Sequence, residues 1–211
     1  MEKFLNITAE QSRALLAGAT KLVVRVKKQP RRTVSDWSHD AEHGDVVLYH
    51  GLPHVLEISR GRNKRDSGEL TPKQIVPPFS PGDVVVCRET WQCGKAAFPS
   101  GIGLHVRIGS PEKGDKLVYR ADGNDYIPPM PWRPSIHMPR WAARHVYLVS
   151  DVRCQQVQGL TEKDFIDMGC PTEYLVGGSW FKPLWEASHP GSWERNDWVW
   201  ILTLERGSSA S

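Results

Sequence analysis

Charged and aromatic side chains gather at the end of one strand-like segment. The segment SPGDVVVCRETWQ begins with a Pro-Gly-Asp turn, continues through the apolar residues Val84–Val86 and ends in Arg88, Glu89 and Trp91. Two oppositely charged residues and an indole in this position indicate either a binding site or a buried pair of Arg88 with Glu89. In a binding site, Glu89 would accept a hydrogen bond from an exocyclic amine, as carboxylates do with cytosine. Trp91 would then stack on a base.

A second group of functional side chains lies in the proline-rich segment PWRPSIHMPRWAARHVYLVSDV. Because prolines 131, 134 and 139 restrict the backbone, they predict an extended, irregular loop that holds its side chains at low entropic cost. The side chains suited to binding are Ser135, His137, Arg140, Trp141 and Arg144. The two arginines would take a phosphate or a carbonyl in fork geometry, and Trp141 would stack on a base. The alternatives are that Trp141 packs in the core and that His137 caps a turn.

The charge distribution is more informative than the total charge. Lys plus Arg number 27 against 24 Asp plus Glu, so the balance is only mildly basic and does not by itself indicate a nucleic-acid partner. Residues 21–32 nevertheless contain basic side chains and no acidic one, and residues 126–150 again contain no Asp or Glu. The run KLVVRVKK from Lys21 predicts a strand. Its basic residues either face a groove, or they protect an ordinary edge strand from aggregation.

The remaining composition excludes several classes of protein. The N-terminal residues MEKFLNITAEQSR are charged throughout and do not resemble a secretory signal, and no stretch has the apolar length of a membrane span. We therefore expect a cytoplasmic protein that does not contact a membrane. The four cysteines form neither a disulfide framework nor the CxxC pairs of a zinc site. No metal and no cofactor is predicted, and the thiols are expected to be reduced and mostly structural.

Periodicity and turn signals predict an α+β chain of short strands with a few short helices. Helices are predicted from the cap Thr8, from the cap Thr161 to Met168, and over Phe181–Ala187 with Pro183 near its start. The segment Asp197–Glu205 is apolar on both faces, which is typical of a central strand. Many short strands with helices at the ends favour a small β-barrel. We expect one domain over residues 1–206, a polar insertion at about 31–78 with one hairpin (Val46–Tyr49 and Val55–Ile58), and a disordered tail, 207–211.

These motifs together resemble the ASCH family of the PUA-like superfamily, in particular its bacteriophage and prophage branch. The residues that carry the resemblance are ALLAG, the basic strand ending in RVKKQP, PGDVVVCRETWQ, YRADG, WRPSIHMPRWAAR, GLTEKD and WERNDWVWILTLER. Roughly three quarters of the chain is covered, excepting the insertion. The resemblance implies a PUA-like barrel in a bacterial host cell. It also implies a cleft between the first basic strand, the ETW strand end and the helix after the LTE turn, and a role with RNA or nucleosides.

The same family includes small amidohydrolases that deacylate N4-acetylcytidine. They share a Lys, a Thr three residues later and a Glu on the helix after the LTE turn. Aligned on RVKKQP and GLTEKD, these positions hold Thr20, Val23 and Met168 here, and none has the expected functional group. The sequence therefore predicts that the hydrolase chemistry is lost. The alternative is an amidohydrolase of N4-acylated cytidine-type nucleosides that acts through a rearranged site of Thr20, Lys21 and Asp167.

Taken together, the residues and the resemblance predict a protein that binds RNA or another single-stranded nucleic acid, or a nucleotide or nucleoside, in a basic, aromatic cleft. The expected ligand contacts are Lys21, Arg25, Arg88, Glu89, Trp91, Arg120, Ser135, His137, Arg140, Trp141 and Arg144. A third class stays open at this point: a phage accessory protein whose cleft captures a host nucleotide signal or a host protein. The oligomeric state is not predicted.

Overall fold

The computed structural model describes residues 1–27, 29, 33–34, 46–49, 52–58, 70–94, 112–123, 131–174 and 176–206. The side chains of 33–34, 46–49, 52–58 and 70–74 are not described. The predicted tail 207–211 and residues 59–69 of the predicted insertion lie outside the described residues.

A mixed five-stranded sheet forms the centre of the described chain. Its strands are β1 (Glu2–Asn6), β2 (Lys21–Arg25), β7 (Val84–Arg88), β10 (His145–Gln156) and β11 (Trp198–Arg206), in the order β1-β7-β10-β11-β2. β1 pairs with β7 in parallel, and the other pairs are antiparallel. The central position predicted for the apolar strand near the C-terminus is confirmed, since β11 lies between β10 and β2. The basic strand β2 is an edge strand in the described pairing.

A second sheet lies inside the predicted insertion. Its strands are β3 (Thr33–Val34), β4 (Val46–Tyr49), β5 (Leu52–Ile58) and β6 (Leu70–Gln74), in that order. The predicted hairpin is confirmed, because β4 and β5 pair antiparallel. The sequence analysis missed β3 and β6. β3 is only two residues long, and Pro72 within β6 is a residue that sheets accept at an edge, which is where β6 lies.

A two-stranded sheet of β8 (Trp91–Gly94) and β9 (Lys116–Tyr119) completes the described strands. Short 3-10 helices follow at Arg120–Asp122, Ser135–His137, Arg140–Ala142 and Val157–Gly159. Two of them interrupt the proline-rich segment, which is otherwise irregular as predicted up to His145, where β10 begins. The single-domain prediction for residues 1–206 stays a prediction.

Two of the three α-helices in the described part of the chain begin as the sequence predicts. In α1 (Ala9–Leu16), the Thr8 hydroxyl accepts from the Gln11 backbone N–H and the Gln11 side chain accepts from the Thr8 N–H, which completes a capping box. In α2 (Glu162–Asp167), Thr161 and Asp164 form the same arrangement. Met168 caps its C-terminus, and Gly169 follows with a φ of 89°. A positive φ of this size favours glycine, as expected for a helix stop.

The third helix differs from its prediction. α3 runs over Gly177–Ser188, so Pro183 lies inside the helix rather than near its start. Gly177 and Gly178 have low helix propensity, so the sequence does not predict the first turn of this helix. A tertiary contact stabilises this turn instead, because a Glu162 carboxylate oxygen accepts a hydrogen bond from the Gly177 N–H at 2.9 Å.

The core lies on both faces of the five-stranded sheet. On one face, Leu202 and Leu204 of β11 pack with Leu15 of α1, and on the other, Val199 and Ile201 pack against α2 and α3. Phe165 of α2 and Met168 at its C-terminal end are buried in this second cluster. The structure is therefore α+β, as predicted. In the described pairing, β1 and β2 remain the two edges of the sheet, and no closed barrel is detected.

Among the described residues, the longest helix has 12 residues, and no helix is long and apolar enough to cross a bilayer.

Candidate functional site

A cleft of about 300 Å³ lies between the two edge strands of the main sheet and α3. Its lining comes from the end of β1 and the start of α1 (Leu5, Asn6, Thr8, Glu10, Gln11, Ala14), from β2 (Lys21, Leu22, Val23, Val24, Arg25), and from α2 and α3 (Met168, Trp180, Phe181, Leu184, Trp185, Ser188, His189). Because residues from both edges of the sheet line one cleft, the sheet curves so that its two edges face each other. The size is at the lower end for small-molecule sites.

The edge of β2, and not one of its faces, borders the cleft. All five residues of β2 line it, although neighbouring side chains in a strand point to opposite faces of the sheet. Leu22 and Val23 are both nearly fully buried, and they belong to core clusters on opposite faces. Their contribution to the lining therefore comes mainly from the backbone edge.

The two cationic side chains of β2 are neutralised by carboxylates. Lys21 Nζ lies 2.9 Å from Asp164 Oδ1 and 2.9 Å from Asp167 Oδ2. Burial alone would lower the pKa of Lys21, but its hydrogen bonds to Asp167 and Asp164 raise it above the ordinary value. Lys21 is therefore a protonated side chain at neutral pH.

Arg25 is held in the same way by Asp197. Its Nε and Nη2 lie 2.8 Å and 2.7 Å from Asp197 Oδ2. Burial would raise the pKa of Asp197, but hydrogen bonds from Arg195 and Arg25 lower it. The cations of the cleft thus form ion pairs at its border, with Asp167, which the sequence predicts beside Lys21, and with Asp164 and Asp197, which were not predicted.

Aromatic residues of α3 form the opposite wall. Phe181, Trp185 and His189 succeed one another at four-residue spacing, which places them on one helix face. The rings of Trp185 and His189 stack with centroids 4.2 Å apart at an interplanar angle of 26°. Trp180 is half-buried beside them. The sequence analysis missed this wall, although the i, i+4, i+8 spacing of the aromatic residues was the signal that could have found it.

His189 carries an unsatisfied polar atom. Its Nδ1 is buried and has no hydrogen-bond partner within the described part of the chain. Burial lowers the pKa of His189 and outweighs a hydrogen bond of the side chain to the Trp185 backbone, which raises it; the nearby charge of Arg25 adds to the lowering. The imidazole is therefore neutral at pH 7 and can offer a donor or an acceptor according to its tautomer. Buried polar atoms without a partner are uncommon in proteins.

A separate buried network contains two of the predicted ligand contacts. Glu89 is 1% exposed, and its carboxylate accepts from Ser12 Oγ at 2.8 Å and from Arg144 Nε and Nη2 at 2.8 Å and 3.0 Å. Arg144 Nη1 also lies 2.8 Å from Asp122, and its guanidinium stacks 4.1 Å from the Tyr119 ring centroid. Every guanidinium nitrogen of Arg144 thus has a partner inside the protein.

Ser12 and His145 complete this network without forming a catalytic triad. His145 Nε2 lies 2.8 Å from Ser12 Oγ, and Glu89 Oε1 lies 3.5 Å from the same nitrogen. In a Ser–His–acid triad, the carboxylate binds the other ring nitrogen. Ser12 is also fully buried. The network therefore joins α1 to the ends of β7 and β10 and does not present a nucleophile.

The other predicted contacts are dispersed. Trp91 is fully buried in a cluster with Cys93, Met138 and Ala142, and half-buried Trp141 packs against it. No base can reach the Trp91 ring in this conformation, and for Trp141 the alternative of core packing fits its position. Arg88 does not pair with Glu89, because it lies over the Phe4 ring at 4.8 Å and donates to the Ile136 carbonyl.

The surface-exposed contacts lie outside the cleft. Arg140 pairs with Glu2, and Arg120 lies over the Trp132 ring at 6.0 Å. Ser135 and His137 belong to one 3-10 helix, in which His137 is exposed. Of the predicted contacts, the structure brings Lys21 and Arg25 into the cleft, together with the aligned positions Val23 and Met168.

The rearranged catalytic site is brought together only in part. Lys21 contacts Asp167, but Thr20 borders a different surface with Tyr147 and Leu204, on the other side of the strand. The Thr20 backbone N–H donates a hydrogen bond to the Asp167 carbonyl. Within the described residues, no group of three or more His, Cys, Asp or Glu side chains is placed to hold a metal ion.

Comparison of the chain with protein-family models, curated protein sequences and solved structures finds no match.

Proposed function

We propose that the protein binds a nucleobase, either of RNA or of a free nucleotide, in the cleft between β2 and α3, and that it does so without hydrolysis. The observation that carries this proposal is the cleft itself, because the edge strand that bears Lys21 and Arg25 faces an aromatic wall across a volume of about 300 Å³. Aromatic side chains bind bases by stacking in a sequence-tolerant way. The resemblance to the ASCH family supports the same ligand class.

The proposed architecture is a PUA-like barrel in which the cleft occupies the gap between the two sheet edges. The curvature that brings β1 and β2 to one cleft supports this proposal. We also propose that the protein acts in the cytoplasm of a bacterial host and is encoded by a phage or prophage. All four cysteines are free thiols, as the protein of a reducing compartment would have.

The chemistry of the cleft supports binding over catalysis. A general base must be able to accept a proton near the working pH. Lys21 is held as a cation by two aspartates, and the neighbouring lining positions Val23 and Met168 are apolar. The amidohydrolase remains the alternative because Lys21 and Asp167 are in contact, and a lysine cation can stabilise developing negative charge.

The test is calorimetric titration with cytidine, N4-acetylcytidine and a short single-stranded RNA at two salt concentrations, with product analysis of each mixture. We expect binding without turnover, and a steeper salt dependence for RNA than for a nucleoside, because each phosphate contact releases counterions. Replacing Trp180, which lines the cleft, by Leu should weaken binding by about fivefold or more, as loss of a base stack does.

A Lys21→Met variant separates the two functions. If the wild-type protein deacylates N4-acetylcytidine and the variant does not, the amidohydrolase is correct and the binding proposal is overturned. If neither turns over the substrate while nucleosides bind the wild type, the binding proposal is supported. Absence of binding to every nucleoside and RNA tested would refute it and would favour a protein partner or a signalling nucleotide.

A further inference from the structure

The two cations of the cleft differ in how fully their charge is neutralised. Lys21 lies between two carboxylates, Asp164 and Asp167, and its side chain is only 13% exposed. Arg25 has the opposite surroundings, because its partner Asp197 also pairs with a second guanidinium, whose Nη2 lies 3.1 Å from the same Oδ2. That second cation is Arg195. One carboxylate between two guanidinium groups leaves a positive charge, so the Arg25 end of the cleft stays the more positive one.

Arg25 also keeps donors that its ion pair does not use. A guanidinium carries five N–H groups in a planar fork. Within the described residues, Arg25 contacts Asp197 through Nε and Nη2 at 2.8 Å and 2.7 Å, and Nη1 has no polar contact. Nη1 is not buried, and the side chain is 28% exposed and lines the cleft. The outer edge of the fork is therefore open to a ligand without loss of the ion pair.

Two other carboxylates in this part of the molecule leave the outer edge of Arg25 unoccupied. Glu186 accepts hydrogen bonds from two backbone N–H groups of the loop that follows α3. Glu10 lines the cleft on the α1 side, is half-exposed and pairs with Arg13 at 3.1 Å. Neither carboxylate forms an ion pair with Arg25 within the described residues. A ligand group at this edge of the guanidinium therefore displaces no described side chain.

We infer that the outer edge of the Arg25 guanidinium is the subsite for a phosphate group of the ligand, and that Lys21 is not. A guanidinium binds phosphate through two parallel N–H···O bonds, which a fork with a free edge can supply. Because Lys21 and Arg25 lie four residues apart on an extended strand, about 13 Å separates them. The ligand then has a fixed direction along β2, with its phosphate at the Arg25 end. This inference rests on the proposed function and adds the position of the phosphate to it.

The first experiment measures what a phosphate adds to binding by the wild-type protein. Uridine, cytidine, adenosine and guanosine are titrated beside their 5′-monophosphates at low and high salt. For a nucleoside that binds, we expect the monophosphate to bind about tenfold tighter at low salt, as for a charge-assisted hydrogen-bonded pair. Because the subsite is partly exposed, this advantage should shrink at high salt. A dinucleotide, whose phosphate is a diester, shows whether RNA or a free nucleotide supplies the group.

The second experiment assigns the phosphate to one end of the cleft. Arg25→Met keeps an apolar stem and removes the fork, so the advantage of the monophosphate should fall to less than about twofold. The matched control is Lys21→Met, which removes the other cation of β2 and should leave the advantage within about twofold of the wild-type value, because that charge is already balanced by two carboxylates.

A third variant tests the charge argument from outside the cleft. Arg195→Met removes the second cation from Asp197, which then neutralises Arg25 alone. We expect the advantage of the monophosphate to fall by about threefold, although Arg195 is not part of the cleft lining. A direct role of Asp197 as a counter-ion has no other way to reach the ligand. Circular dichroism and the melting temperature check that each variant is folded.

A purely structural role of Arg25 gives a different result. Its charge acts on His189, which caps the C-terminus of α3, and a cation at that position stabilises a helix. If this were its whole role, Arg25→Met would lower the melting temperature and weaken nucleoside and monophosphate binding equally. The ratio of the two affinities therefore separates the roles.

The outcomes also distinguish this inference from the proposed function. Equal affinity for nucleoside and monophosphate at low salt overturns the inference, while the binding of the nucleoside keeps the proposed function. An advantage that survives in folded Arg25→Met, that is lost in Lys21→Met, or that is unchanged in Arg195→Met overturns it as well. If no nucleoside, nucleotide or RNA binds, the proposed function fails and the inference fails with it.

Discussion

Replacing Glu89 by Gln tests whether this residue is a structural anchor or a ligand contact. Glu89 is 1% exposed and accepts two hydrogen bonds from Arg144 and one from Ser12. The substitution keeps the size of the side chain and removes its charge, so Arg144 loses its most buried partner. Removing one member of a buried ion pair costs about 3 to 5 kcal/mol. Because Arg144 keeps Asp122 and the Tyr119 ring, we expect about 3 kcal/mol.

The assay is urea unfolding followed by the fluorescence of the nine tryptophans, supported by thermal melting. For a chain of this length, about 3 kcal/mol corresponds to a fall in melting temperature of about 6 to 12 °C. The matched control is Glu194→Gln, which breaks an exposed pair with Lys182. Exposed pairs contribute about 0 to 1 kcal/mol, so the control should melt nearly as the wild type does.

A double variant tests the physical cause. Glu89→Met alone leaves the Arg144 charge with a single, half-exposed carboxylate partner, Asp122. Adding Arg144→Met removes that charge as well, and we expect the double variant to be more stable than Glu89→Met alone. A loss of under 1 kcal/mol in Glu89→Gln, or a double variant less stable than the single one, would refute the reasoning. A loss of nucleoside affinity in folded Glu89→Gln would instead support the sequence-based interpretation of Glu89 as a ligand contact.

Two further predictions concern the helices behind the cleft. A Cβ on Gly177 would lie 2.5 Å from Phe165 Cβ, so Gly177→Ala should destabilise the protein by about 1 to 3 kcal/mol. The control Gly178→Ala adds only an ordinary contact at 3.9 Å and should cause no loss of stability. Equal urea midpoints for the two variants would contradict this. Burial would raise the pKa of Asp164, but hydrogen bonds from Thr161 and the nearby cations lower it well below its ordinary value. Because the folded-state pKa of Asp164 is depressed, its ionised form stabilises the folded protein above the unfolded pKa near 3.9, and this stabilisation is lost as the pH falls from there toward the folded-state pKa. Asp164→Asn should therefore reduce the difference in unfolding free energy between pH 6 and pH 3. An unchanged difference would count against this role of Asp164.

Local signals in the sequence were sufficient for the elements that depend on nearby residues. The capping boxes at Thr8 and Thr161 were predictable, because cap and partner lie three residues apart. The two apolar faces of β11 were predictable as well, because alternation in a strand has a period of two. The first turn of α3 was not, since two glycines oppose it and a carboxylate from another helix supports it.

The functional site depended on contacts between distant parts of the chain. From the sequence, Lys21 and Arg25 were expected on a basic strand that either faces a groove or is a protected edge strand; β2 is an edge strand in the described pairing, and both residues line the cleft. It also assigned Glu89 and Trp91 to binding, because charged and aromatic side chains at a strand end have the same pattern in a site and in a core. Both residues are buried because α1 and the proline-rich segment pack against them, and no local sequence pattern predicts this packing.

The sequence by itself determined the α+β class, the positions of most strands and helix caps, and the basic character of β2, because these follow from propensity, periodicity and charge within a few residues. Only the tertiary structure decided that Asp164, Asp167 and Asp197 neutralise β2, that its backbone edge borders a cleft, and that His189 lies opposite with an unpartnered nitrogen. The reason is that pairing and burial arise between segments more than a hundred residues apart, where the spacing along the chain carries no information about distance in space.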